Sequence, residues 1–218
     1  MITGALFDMD GLMFDTERIA QEGWAQAAKQ LGYPITEEVS RHIVGTNQAY
    51  SRAYFFELFG DKVDYDKARK VRTDYLNAYI QKNGVPIKKG LLELLTFLKE
   101  NHIPACVATS TSKELAESYL KKAGVYHYFS AGVYGDMIQN SKPHPEIFLT
   151  AAGLLNRPPE ECAVLEDSKN GIKAGAAAGC RVIAVPDLIP LKEVLPLTSV
   201  CCSDLSEAIT FIRKENNL

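Results

Sequence analysis

With 218 residues, 46% hydrophobic and 23% charged, the chain is ordinary for a soluble globular protein and long enough to bury a good core. A formal net charge of -3 without a Lys/Arg cluster excludes a basic field for nucleic acid, and no window reaches transmembrane length. No signal peptide is visible, and the five cysteines form no CxxC pair and no zinc pattern with His, so the expectation is a cytoplasmic protein with reduced, buried thiols.

Ile2 to Phe7 is a short apolar run, read as a strand buried on both faces, and it ends in Asp8-Met9-Asp10-Gly11. A buried strand has no structural use for two acids at its C-terminal end, where open α/β sheets bind ligands. Two carboxylates side by side repel, and a divalent cation is the usual remedy; N-capping of a following helix needs only one. From about Thr16 to Asn83 the pattern is almost wholly helical, with no convincing strand. Trp24, Ala27, Ala28 and Leu31 recur at helical spacing before a stop at Gly32-Tyr33-Pro34, and Thr36-Glu37-Glu38 starts another helix. Tyr54 to Phe59 and Tyr75 to Ile80 read as further apolar helix faces.

From Leu91 the texture changes to alternation. Helices are predicted over Leu91 to Glu100, Lys113 to Ala123, Pro145 to Leu155, Gly171 to Gly179 and Leu205 to Arg213. Strands are predicted at Ala105 to Ala108, Phe129 to Val133, Ala163 to Leu165 and Val182 to Val185, with a short edge strand at Cys201-Cys202. Such alternation means βαβ units and a parallel sheet. The fold class is therefore α/β, a Rossmann-like parallel sheet core of residues 1–14 and 85–218 with an inserted all-helical cap domain of residues 15–84. The hinges fall near Phe14-Asp15 and Gly84-Val85-Pro86.

Three further polar clusters follow predicted strands. Thr109-Ser110-Thr111-Ser112 combines hydroxyls and free amides at a strand-to-helix turn, an anion cradle, although Ser112 could simply cap the next helix. Lys142-Pro143-His144-Pro145 sets a lysine rigidly before a helix, and Leu165-Glu166-Asp167-Ser168 repeats the acidic strand end. A metal shared between the two acidic ends explains both. Gly171, Gly175 and Gly179 read as a face that packs closely on the sheet, and His42, His102, His127 and His144 show no ligand spacing.

Asp8-Met9-Asp10-Gly11, Ser110, Lys142-Pro143 and Glu166-Asp167-Ser168 stand in the order of the four motifs of the haloacid dehalogenase superfamily. With the helical insertion, the chain resembles its beta-phosphoglucomutase and phosphatase-like branch. That resemblance implies a Mg²⁺-dependent phosphatase hydrolysing small phosphomonoesters, sugar phosphates foremost, through an aspartyl-phosphate. Asp8 would be the nucleophile and Asp10 the general acid and base, with Lys142 and Ser110 on the phosphoryl oxygens and Thr109 and Thr111 beside them. The metal would be held among Asp8, Asp10, Glu166 and Asp167. Lys142→Ala is expected to cost activity far more than stability. Substrate selection would fall to Glu17, Asn47, Gln48 and Arg72. A phosphosugar mutase is the alternative, weakened by Ala20 and Asn47 or Gln48 where mutase-like members carry a His and an Arg. The expected partner is a small phosphorylated metabolite, with neither nucleic acid nor membrane, for a monomer or weak dimer.

Overall fold

The computed structural model describes residues 1–218. Six strands, β1 (Gly4–Phe7), β2 (Ala105–Ala108), β3 (Phe129–Val133), β4 (Cys162–Glu166), β5 (Arg181–Ala184) and β6 (Val200–Cys201), form one sheet in the order β3-β2-β1-β4-β5-β6. Every pairing is parallel, so all C-terminal ends lie along one edge. β1 is interior, with Leu6 opposite Cys106 on one side and Val164 on the other.

Alternate residues of the central strands face opposite layers, as period-2 geometry requires. Ala5, Phe7, Val107 and Leu165 meet Leu94 and Leu98 of α5 (Leu91–Glu100), Leu120 of α6 (Lys113–Lys122) and Ile212 of α9 (Leu205–Asn216). Leu6, Cys106 and Val164 meet Phe148 of α7 (Glu146–Leu154) and Ala174 of α8 (Lys169–Ala177). The close packing expected of the α8 glycines holds at two of three positions. A Cβ at Gly175 would stand 3.0 Å from Val164 and Val182, and one at Gly171 would collide with the Glu166 carboxylate; Gly179 lies beyond the helix, in open space at φ +79°.

Between β1 and β2 the chain is strand-free: α1 (Thr16–Leu31), α2 (Glu37–His42), α3 (Gln48–Phe59) and α4 (Tyr65–Asn83). Trp24, Phe55 and Tyr65 form an aromatic centre there, with Trp24 and Phe55 rings 5.2 Å apart. The segment is not isolated from the sheet's core, since Ile19, Leu76 and Ile80 join the large cluster beneath it. Its two connections are stitched together where Asp15 donates to Pro86 O (2.9 Å) and Lys88 to Met13 O (2.9 Å) through their main-chain amides. No helix is long and apolar enough to cross a membrane. Of the predicted Cys201-Cys202 strand only Cys201 is in β6; Cys202 is buried beyond it.

Candidate active site

The polar clusters predicted from strand ends meet at the C-terminal edge of the sheet. Asp8 follows β1 directly, and its amide donates to Leu165 O of β4 (3.1 Å), which fixes it beside the acidic end of that strand. Gly11 turns the chain away at φ +86°, where a Cβ would run into Asp167.

Lys142 is the hub. Only 7% exposed, it donates through Nζ to Asp8 Oδ1, to Glu166 Oε1 (2.6 Å) and to the Ala108 carbonyl (3.1 Å). Burial alone would lower its pKa, but the Asp8 and Glu166 charges outweigh burial and hold it charged, above the ordinary lysine range. Glu166 is wholly buried, and its other oxygen accepts from the amides of Asp167 and Ser168 (both 3.1 Å) and from Ser168 Oγ (3.0 Å). It anchors the lysine, while Ser168 also caps α8 by accepting from the Gly171 amide (3.0 Å).

Asp10 lives in a different environment. Thr16 Oγ1 donates to its Oδ1 and Thr111 Oγ1 to its Oδ2, each at 2.7 Å. Thr109 is buried and accepts from the Thr111 amide (3.1 Å), whereas Ser110 is exposed at the cavity wall. Ser112 occupies the N-cap position of α6 but makes no side-chain cap bond; Asp136, beyond β3, takes the Lys113 amide instead (3.2 and 3.3 Å). Gly135 packs against the Ser110 carbonyl and donates to Thr111 O (2.9 Å), holding the turn from behind.

Asp8, Glu166 and Asp167 bring carboxylate oxygens within 4.8 Å of one another, whereas both Asp10 oxygens are taken by threonines. Asp167 Oδ1 is buried without a hydrogen-bond partner. Burial, with Glu166 and Asp8 adding to it, raises the Asp167 pKa well above the carboxylate range; burial likewise pushes Asp8 up to about 8 against the pull of Lys142. Crowded carboxylates of this kind, with an open oxygen, fit a hard divalent cation.

Above the acids lies a cavity of about 480 Å³, closed on the helical side by Glu17, Trp24, Gln48 and Arg72. Arg72 Nε is buried and unpartnered. Glu17 is pushed up to about 7 by burial, opposed by Arg72 and reinforced by Asp10 and Asp187. Asn47 lines the same cavity, but its Oδ1 is engaged in capping α3 through the Tyr50 amide (2.8 Å). The loop before α3 touches the sheet's edge where Asn170 Nδ2 donates to Gly45 O (3.3 Å).

Sequence reasoning missed Thr16, Asp187 and Lys88. Asp187 had a usable signal, since it too is an acid just past a predicted strand; Thr16 and Lys88 had none, their partners being set by the tertiary fold.

Residues 5–185 match the family model described as haloacid dehalogenase-like hydrolase. The chain is 33% identical over 174 residues to the phosphorylated carbohydrates phosphatase of Thermotoga maritima, covering 80% of each. It is 33% identical over 183 residues to hexitol phosphatase A of Escherichia coli K12, covering 84% of this chain and 82% of that one. Among solved structures, the beta-phosphoglucomutase of Clostridium difficile superposes with a TM-score of 0.81 over 100% of this chain and 98% of that one; at 24% identity that likeness concerns the fold.

Proposed function

The chain belongs to the haloacid dehalogenase-like hydrolases, and from that premise we propose that it is a Mg²⁺-dependent phosphatase hydrolysing small phosphomonoesters, sugar phosphates above all, through an aspartyl-phosphate on Asp8. It is a phosphoric monoester hydrolase, consistent with the several relatives that are named phosphatases. The observation that carries the finer reading is the division between its two leading acids. Asp8 is buried among Lys142, Glu166 and Asp167, whereas Asp10 is steered by two hydroxyls toward the cavity. Different surroundings for paired carboxylates are how one site obtains a nucleophile and an acid–base group.

In this mechanism an Asp8 oxygen attacks phosphorus in line and the P–O bond to the substrate breaks, leaving the phosphoryl group on Asp8. Asp10 protonates the departing alkoxide, then removes a proton from the water that attacks the phosphoaspartate, returning Asp8 and releasing inorganic phosphate. Thr16 and Thr111 hold Asp10 at the angle both transfers need. Lys142 offsets charge on Asp8 and the phosphoryl oxygens, and Ser110 donates to one of those oxygens from a turn braced by Thr109. A Mg²⁺ held by Asp8 and Asp167, with Glu166 alongside, would supply the remaining charge neutralisation on the transferring group.

Residues 15–84 act as a cap over the core of residues 1–14 and 85–218, with Glu17, Gln48 and Arg72 meeting the alcohol portion of the substrate. Ala20, 1% exposed, offers no proton shuttle, and Asn47 is spent on helix capping, so neither position supplies the His or the Arg of the mutase-like pattern.

The test is a panel of sugar phosphates assayed for inorganic phosphate with Mg²⁺ and with EDTA. Release should vanish in EDTA and return with Mg²⁺, and Asp8→Asn should abolish the phosphoenzyme detected by mass spectrometry. Full activity in EDTA, or an adduct elsewhere than Asp8, sinks the reading. Efficient conversion of beta-glucose 1-phosphate to glucose 6-phosphate, given catalytic 1,6-bisphosphate and little phosphate release, favours the mutase instead.

A further inference from the structure

Asp167 directly follows β4 and Asp187 comes just past β5, after Val185 and Pro186; the Val185 amide donates to Glu166 O (2.8 Å), which draws the two strand ends together. The Asp187 side chain is only 10% exposed. Its Oδ1 accepts from Lys88 Nζ at 2.6 Å, while its Oδ2 is buried with no hydrogen-bond partner. That open oxygen has a direction. A Cβ built on Gly11 would collide with Asp167 Oδ2 and stand 3.3 Å from Asp187 Oδ2, so both carboxylates look onto one spot beside the acid cluster.

A purely structural ion pair in this position would be expected to occupy both carboxylate oxygens, because a buried acceptor left alone is costly. Here one oxygen is satisfied by lysine and the other is left open beside Gly11, on the side where Asp167 Oδ2 also lies. Magnesium keeps several of its waters when bound by few carboxylates, and those waters need acceptors. Outer acceptors that orient what the metal holds are worth about 10–100-fold in metal affinity.

We propose that Asp187, braced by Lys88, is a positioning residue for the cation at Asp8 and Asp167, its free oxygen accepting a hydrogen from a cation-bound water. This inference rests on the Mg²⁺ reading above. Lys88 supplies more than charge balance. It belongs to the second connection between helical segment and sheet, and its Nζ also lies 3.9 Å from Asp15 on the first, so the brace starts from where the two connections are stitched together.

The test uses Mn²⁺ alone as the probe, without substrate, following the free-ion electron paramagnetic resonance signal during titration of the full chain. The melting temperature of the cation-free protein is recorded alongside. Asp187→Asn keeps the shape and a bond to Lys88, and is expected to weaken Mn²⁺ binding about 10–100-fold with the cation-free melting temperature unchanged. Should that variant not fold, the paired replacement Lys88→Met/Asp187→Leu leaves no lone buried charge and is expected to weaken binding similarly. Unchanged Mn²⁺ affinity overturns the proposal, and so does a loss that only tracks a lower cation-free melting temperature. Asp167→Asn separates the two levels. If the unaltered chain fails to bind Mn²⁺, or Asp167→Asn binds as tightly, the metal reading itself falls; if Asp167→Asn abolishes binding and Asp187→Asn leaves it intact, only the role of Asp187 falls.

Discussion

Lys142 carries two duties that a substitution cannot separate. The sequence suggested an electrostatic residue whose loss costs activity far more than stability, and its burial between two carboxylates gives reason to expect a stability cost beside it. Lys142→Ala strands Asp8 and Glu166 without their shared cation, and removing one partner of a buried pair costs about 3–5 kcal/mol. We expect that loss in urea denaturation, together with a fall in turnover of about 10²–10³-fold, the scale for removing one preorganised charge. A variant as stable as the unaltered chain would contradict the hub geometry. What was legible at this scale was the anomaly of acids ending apolar strands. What was not legible was pairing: Asp10 is held by Thr111 from a different strand end, and Asp187 by Lys88 from a connecting segment, and neither contact leaves a local pattern.

Among the elements, those with strong periodicity appeared where expected, β2, β3 and α5 with the predicted ends. α4 did not: only its apolar stretch from Tyr75 to Ile80 was readable, because the preceding turns are charged and held in the helix by Asp64 capping and by contact with α1. Ser112 does stand at the N-cap position of α6, as its alternative reading had it, but the carboxylate that takes the Lys113 amide belongs to Asp136 in a different loop. The contact between the helical segment and the sheet's edge turns on Gly45, at φ +68° with room for a hydrogen only; a Cβ there would lie 2.9 Å from the Ser168 Cβ. Gly45→Ala therefore strains the loop and pushes it from Ser168 and Asn170. In steady-state assays KM should rise and kcat fall together, because closing segments assemble the site as well as cover it. Unchanged constants would mean that this contact is incidental to turnover.

For the molecule as a whole, we expect stability to depend on pH through Glu17 at the junction between helical segment and sheet, with Asp10 and Asp187 acting on it from the sheet side and Arg72 from α4. Its folded-state pKa of about 7 lies above the ordinary 4.5. Between those values the unfolded chain has released the proton that the folded chain still holds, so this group's contribution is present below pH 4.5 and lost as pH rises through 7. Glu17→Gln should remove that part of the decline, measured as the difference in urea midpoint between variant and unaltered chain across the window. Parallel pH profiles would show that Glu17 is not the group responsible.

The interior position of β1 has a consequence for how the chain comes into being. Ala5 pairs with Ala105 and with Ala163, so the strand leading to Asp8 leaves the ribosome well before the partners it must pair with. At about 5–20 residues per second that wait lasts on the order of ten seconds, during which Ile2 to Phe7 remains an apolar segment suited to a chaperone's grip. The helices after it, with their own aromatic centre, can gather in the meantime. A nascent chain arrested just before β4 already contains Asp8, Asp10 and Lys142 but neither Glu166 nor Asp167, so its acidic cluster is still incomplete.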